Sequence, residues 1–168
     1  MRCAWLYSTN ANYVDRIKAN NHADLTTVGV IANRAAYTGG EAWLDECVAC
    51  IDGNHDYVER FVRANLPMVR MAKPQGTYLV WLDVTQVANS IGAKKLAAEA
   101  NKAQAASLKR ITPEDVIERY FVKNAKIHMN PGSLCGMEGF SHMRMNIATS
   151  RRTPELAMAN LANALQKG

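Results

Sequence analysis

The sequence has no apolar run long enough for a signal peptide or a membrane-spanning helix, and its start, Met1-Arg2-Cys3-Ala4-Trp5, offers neither pattern. It also has no run of four or more Lys/Arg, so its net charge of +5 is thinly spread. Nucleic-acid binding needs a concentrated basic patch, and neither a nucleic-acid nor a membrane partner is expected. A dispersed positive balance suits a small anionic ligand equally well. Cysteine is scarce: Cys3 and Cys135 stand alone, and Cys47 and Cys50 form a CVAC. Nothing resembles a secreted disulfide framework, so a reducing cytoplasm is the expected compartment. Zinc would need a second ligand pair, yet no second CxxC or HxxxH accompanies CVAC, and His22, His55, His128 and His142 are scattered. No metal site is expected. Internal repeats and low-complexity linkers are absent as well.

What is present is ordinary globular composition, 48% apolar and 21% charged over 168 residues. That length allows one domain, or a small domain with a piece of another. Arg2 to Ser8 (RCAWLYS) reads as a buried strand with no hairpin partner nearby. Tyr13, Val14 and Ile17 recur at helical spacing, and Val28 to Ala36 is a second apolar stretch. The clearest helix follows, with Thr38 and Glu41 spaced as a capping box and Pro67 marking its end. Leu44, Cys47, Val48, Ile51, Val58, Phe61 and Val62 track one face of it. At about 1.5 Å per residue it would be roughly 40 Å long, enough to leave one domain and enter another. Cys47 and Cys50 fall inside this helix, away from an N-terminus that would activate a thiol, so core packing is the expected role of the pair.

After Pro67 the texture changes. Met68 to Ala72 and Thr77 to Val84 read as strands separated by a Pro74-Gln75-Gly76 turn. Lys94 to Ala106 reads as an exposed helix, and Thr112-Pro113-Glu114-Asp115 as another helix start. Ala125 to Met129 is expected as a strand broken by Asn130-Pro131-Gly132. His142 to Ala148 alternates, with Met143, Met145 and Ile147 on one face and His142, Arg144 and Asn146 on the other. Thr153-Pro154-Glu155 opens a last helix whose Leu156, Leu161 and Leu165 would cover the sheet. From Met68 onward the expectation is an α+β arrangement of helices over a small antiparallel or mixed sheet.

Four segments taken together, RCAWLY, GGEAWLDECVACIDGNHDYV, KPQGTYLVWLD, and NPGS followed by HMRMNIA, resemble the pyridoxal-phosphate (PLP)-dependent aminotransferase superfamily, most closely its cystathionine β-lyase branch, which also contains a maltose-regulon repressor. Their order and spacing match the C-terminal portion of that family, with Asn89 to Arg110 resembling an insertion. The resemblance implies an α/β PLP-dependent transferase fold in three parts: 1–38 as a remnant of the large cofactor domain, 39–67 as a connecting long helix, and 68–168 as an α+β small domain. It implies pyridoxal 5′-phosphate as cofactor, an amino acid as substrate, and α,β-elimination on a sulfur amino acid such as cystathionine, with transamination as the alternative. The family's Schiff-base lysine would lie upstream of Met1, so the chain alone is expected to be inactive. A homodimer, or association with an N-terminal half, is implied. A non-catalytic binding or regulatory module is the reading from another class.

The resemblance also implies residue roles. Arg144, the arginine of R-x-N-x-A, would grip the substrate α-carboxylate with its planar fork, which a lysine cannot do. The alternative is a strand arginine facing solvent or paired with Asp or Glu. Arg2 would approach the cofactor phosphate, or else be a solvated chain end. Gly76, Thr77 and Tyr78 would open a strand lining the substrate side, or simply begin a core strand. Asn130, in its Asn-Pro-Gly turn, would lie near the cleft, where an architectural role is the alternative.

Overall fold

The computed structural model describes residues 3–4, 6–20, 25–105 and 109–166, and the chain divides into two compact units, Met1–Val48 and Ala49–Gly168. The first unit is helical among its described residues. α1 (Ala11–Asn20) buries none of its residues. α2 (Thr27–Gly39) starts at Thr26, whose hydroxyl accepts the Gly29 N–H at 3.1 Å. A Cβ on Gly29 would stand 2.8 Å from that same Thr26 oxygen, so the cap itself selects glycine.

Two expectations fail in this unit. Of the strand expected over Arg2 to Ser8, Arg2 and Trp5 lie outside the described residues, and Cys3, Ala4 and Leu6 to Ser8 are in no strand. A strand is stabilised by its neighbours' N–H and C=O groups, and the described residues of this unit supply only helices. The capping box of Thr38 and Glu41 is also not formed. Thr38 lies in the last turn of α2, where its hydroxyl donates to the Arg34 carbonyl at 2.9 Å. The break falls instead at Gly40, whose N–H reaches the Ala36 carbonyl at 3.0 Å.

α3 (Glu41–Asn65) follows. Its expected apolar stripe is buried only in its second half: Val58 and Val62 are buried, whereas Leu44 and Val48 are exposed. Cys47 is half-buried and Cys50 exposed, which corrects the core reading for Cys50.

In the second unit, β1 (Leu79–Asp83), α4 (Thr85–Ser90), α5 (Ala93–Ala103), α6 (Pro113–Ala125), β2 (Asn130–Pro131), β3 (His142–Asn146) and α7 (Arg152–Gln166) follow in order. The three strands form an antiparallel sheet in the order β1-β3-β2. Val80 and Leu82 of β1 and Met143 and Met145 of β3 share one apolar cluster with Val58 and Val62 of α3, Ile117 and Phe121 of α6, and Met158 and Leu161 of α7. Helices thus cover one face of the sheet.

The second unit departs from the sequence expectation in several places. Of Met68 to Ala72, only Arg70 pairs, as a single bridge to Asp83. Ala125 is the buried last residue of α6, and the left-handed Lys126 (φ 59°) ends the helix there, so pairing begins only at Asn130. Leu156 is 62% exposed, because the inward stripe of α7 runs through Pro154, Met158, Leu161 and Leu165 at helical spacing and Leu156 lies nearly opposite it. The segment resembling an insertion is folded among its described residues: Gly92 (φ 65°) turns α4 into α5, and the Asn101 amide bonds both the N–H and the carbonyl of Ile111 at 2.8 and 2.7 Å.

α6 opens with a full capping box, in which the Thr112 hydroxyl accepts the Asp115 N–H at 3.1 Å and the Asp115 carboxylate accepts the Thr112 N–H at 2.6 Å. Burial pushes the Asp115 pKa up, but the bonds from the Thr112 N–H and hydroxyl outweigh it and hold the carboxyl below its usual value. A depressed folded-state pKa adds stability above the unfolded-chain value, and that stability is lost as pH falls through the folded value. Thr112→Ala is therefore expected to cost about 0.5–2 kcal/mol near pH 7. Urea melts of the two proteins should converge on acidification; a gap constant down to strongly acid pH would detach Asp115 from the cap.

Candidate functional site

The face of the sheet away from the core carries the polar alternation of β3. Arg144 sits at its centre, opposite Trp81 on β1 and opposite Asn130 on β2. His142 lies beside it, and its ring meets that of Trp81 edge-on, with centroids 6.1 Å apart. Arg144 is half-buried, and its Nη1 donates to the Cys135 sulfur at 3.6 Å. Its Nε is buried with no partner, and among the described residues no Asp or Glu pairs with it. A guanidinium desolvated in this way, with a weak sulfur acceptor and no counter-charge, is an incomplete pair that an anion would complete.

The other expected site residues divide. Asn130 faces solvent beside a cavity of about 320 Å³, where Glu118 and His128 pair at 3.0 Å. The turn following it is architectural: a Cβ on buried Gly132 would run into the Gly139 carbonyl and stand 2.8 Å from the Trp81 ring. Gly76 is exposed, and a Cβ there would meet nothing within 4 Å, so no close approach within this chain demands glycine at that position. The demanding residue is its neighbour Thr77, held at φ 68°. A β-branched residue in the left-handed region is strained by roughly 1–3 kcal/mol. Tyr78 is exposed and leads into β1, while Arg2 lies outside the described residues.

Sequence reasoning missed the buried polar pair Asn54-His55 on α3. Asn54 is fully buried and donates to the Ile147 and Thr149 carbonyls, both at 2.9 Å, while its own carbonyl accepts Arg151 Nε–H at 2.8 Å. The Arg151 guanidinium also lies 5.1 Å over the Tyr57 ring. His55 directs Nε2 at the Thr77 carbonyl, 3.0 Å away. The available signal was spacing: Ile51, His55, Val58 and Val62 share one helical stripe, so a polar residue stands there at an inward position. Among the described residues no group of His, Cys, Asp or Glu could hold a metal ion.

No protein-family model matches the chain. A Mycobacterium tuberculosis protein provisionally named a cystathionine β-lyase is 31% identical over 138 residues, covering 82% of this chain and 32% of that one. The cystathionine β-lyase PatB of Bacillus subtilis is 27% identical over 155 residues, covering 92% of this chain and 34% of its own length. Among solved structures, a PLP-dependent β-cystathionase from Corynebacterium diphtheriae, also provisionally titled, superimposes with a TM-score of 0.69 at 26% identity, covering 95% of this chain and 36% of the other. The chain spans about a third of the length of the curated relatives it matches. By sequence and by fold, it is a relative of the cystathionine β-lyases and carries part of their PLP-dependent aminotransferase fold.

Proposed function

We propose that this chain forms the substrate-carboxylate side of a PLP-dependent C–S lyase acting by α,β-elimination on a sulfur amino acid, with Arg144 as the carboxylate clamp. The observation that carries the reading is the guanidinium at the centre of the open sheet face, its Nε buried and unpartnered and, among the described residues, no acidic residue paired with it. Tyr78 and Asn130 would border the same substrate, one leading into β1 and one opposite Arg144. In such an enzyme, bound pyridoxal phosphate supplies the electron sink for the elimination. Arg2, the residue expected near its phosphate, lies outside the described residues. Residues 1–38 would then belong to the large domain, 39–67 to the connecting helix, and 68–168 to the small domain. The exposed Tyr13, Val28, Ile31, Tyr37 and Trp43 fit a surface that the rest of a complete enzyme covers.

The test is Arg144→Lys in the complete enzyme. A point charge in place of a fork should raise KM and lower kcat/KM at least about tenfold, since a charge-assisted bond is worth about 1.5–3 kcal/mol. Thermal stability should stay near that of the parent, because Arg144 closes no ion pair within the described residues. An unchanged kcat/KM would make Arg144 a structural residue.

A further inference from the structure

Four backbone carbonyls at one end of the β1–β3 pair are each bound by a donor from elsewhere in the fold. His55 takes that of Thr77 at 3.0 Å, the Ile147 N–H takes that of Tyr78 at 3.0 Å, and Asn54 takes those of Ile147 and Thr149, both at 2.9 Å. Two adjacent side chains of one helix therefore grip both strands where β1 begins and β3 ends. A carbonyl can only accept, so Nε2 of His55 carries the hydrogen; Nδ1 is buried without a partner. One residue in this grip, Thr77, is strained at φ 68°. Lys73, just before it, is tied to the same helix by Asp52 at 2.8 Å and Asp56 at 2.6 Å, but these contacts are exposed and hold weakly.

We propose that Asn54 and His55 are a positioning clamp: His55 holds Thr77 in its left-handed conformation and so aims Tyr78, while Asn54 fixes the exit of the strand that presents Arg144. The consequence follows from strand geometry. Register places Leu79 opposite Asn146 and Trp81 opposite Arg144, and a slip of one residue would turn the Arg144 side chain toward the core. The clamp sits at the open end of this pair, where the Ile147 N–H to Tyr78 carbonyl bond is the last between the two strands among the described residues. That it serves substrate binding rests on the reading of Arg144 above; that it sets the conformation of Thr77 does not.

The experiment uses the full 168-residue chain, labelled for NMR, as parent, His55→Ala and His55→Gln. Thr77 Cα and Cβ shifts, with its HN–Hα coupling, report φ, and the exchange rate of the Ile147 amide reports the pairing to Tyr78. In the parent, Thr77 should show left-handed values. In His55→Ala they should move to extended values, with Ile147 exchanging at least tenfold faster. Gln places an amide N–H near the position of Nε2 and should restore both, which a general packing role would not do. Thr77→Gly gives a second measurement. It relieves strain only while His55 holds the residue left-handed, so any stabilisation should vanish in the His55→Ala background. Should His55→Ala not fold, His55→Asn, whose amide stops short of Thr77, takes its place. Left-handed Thr77 shifts in the His55 variant, or additive effects in the cycle, would overturn the clamp. Arg144→Ala should leave the Thr77 shifts unchanged, so failure of the carboxylate reading would be seen separately.

Discussion

Replacing Asn54 by alanine is expected to destabilise the unit Ala49–Gly168 by about 2–4 kcal/mol, a fall in Tm of roughly 10 °C. Asn54 is fully buried and makes three hydrogen bonds: two to carbonyls at the exit of β3 and one from Arg151. Alanine leaves the Arg151 Nε–H and two carbonyls without these partners, in a space that the missing amide no longer fills. Buried polar groups stripped of a partner cost about 1–3 kcal/mol each, partly offset where water enters. Asn54→Asp separates the two halves of the effect. A carboxylate would still accept from Arg151, but it would oppose the Ile147 and Thr149 carbonyls instead of donating to them. If Asp restores most of the stability, the Arg151 contact dominates; if Asp is as poor as Ala, the carbonyl grip does. A change below about 0.5 kcal/mol in both, the range of ordinary surface substitutions, would remove Asn54 from the structural framework.

Why the sequence hid this residue is physical. Periodicity reports where apolar side chains recur, and it served well on β3, where Met143 and Met145 are buried while His142, Arg144 and Asn146 face the other way. It served equally at α6, where Thr112 and Pro113 marked the helix start that the capping box confirms. Asn54 and His55 interrupt an apolar stripe, and an interruption looks the same whether the residue points to water or grips a distant carbonyl. The partners of Asn54 lie 93 and 95 residues away, and only the assembled sheet brings them within reach. The short-range errors have local causes. Thr38 and Glu41 have the spacing of a cap, but a hydroxyl already bonded to Arg34 cannot serve the next helix. Arg2 to Ser8 has the apolar texture of a strand, which is a property of its environment in a sheet and not of the segment alone. The proposal of a carboxylate clamp at Arg144 came from motif resemblance, whereas the lack of an acidic partner among the described residues required coordinates.

Phe121→Ala is expected to have the largest effect on stability, about 3–5 kcal/mol, because it deletes one of the largest fully buried side chains of the core. The ring stands in the cluster that joins α3, α6 and α7 to the buried face of the sheet, and its neighbour Tyr120 anchors α6 to α7 through a 2.9 Å bond to the Ala164 carbonyl. No single neighbour can move in to fill the volume without losing its own contacts, so transfer and cavity costs add. The loss should be confined to one unit. Met1–Val48 places almost none of its described apolar side chains out of solvent: α1 buries no residue and α2 buries only Gly29. Exposed apolar surface gives helices little tertiary support, so they open at low free-energy cost. Hydrogen exchange on the 168-residue chain should therefore show fast exchange through α1 and α2 in both proteins, with slow exchange along β1, β3, α6 and α7 only in the parent. Phe121→Ala should speed the slow set by two orders of magnitude or more, about the factor that 3 kcal/mol implies, and leave the fast set alone. Adding the N-terminal region of a complete enzyme should slow exchange in α1 and α2 and leave the second unit's rates as they were. Protection of α1 and α2 equal to that of the sheet in the chain alone would refute this division, and with it the proposal that residues 1–38 belong to a domain completed elsewhere.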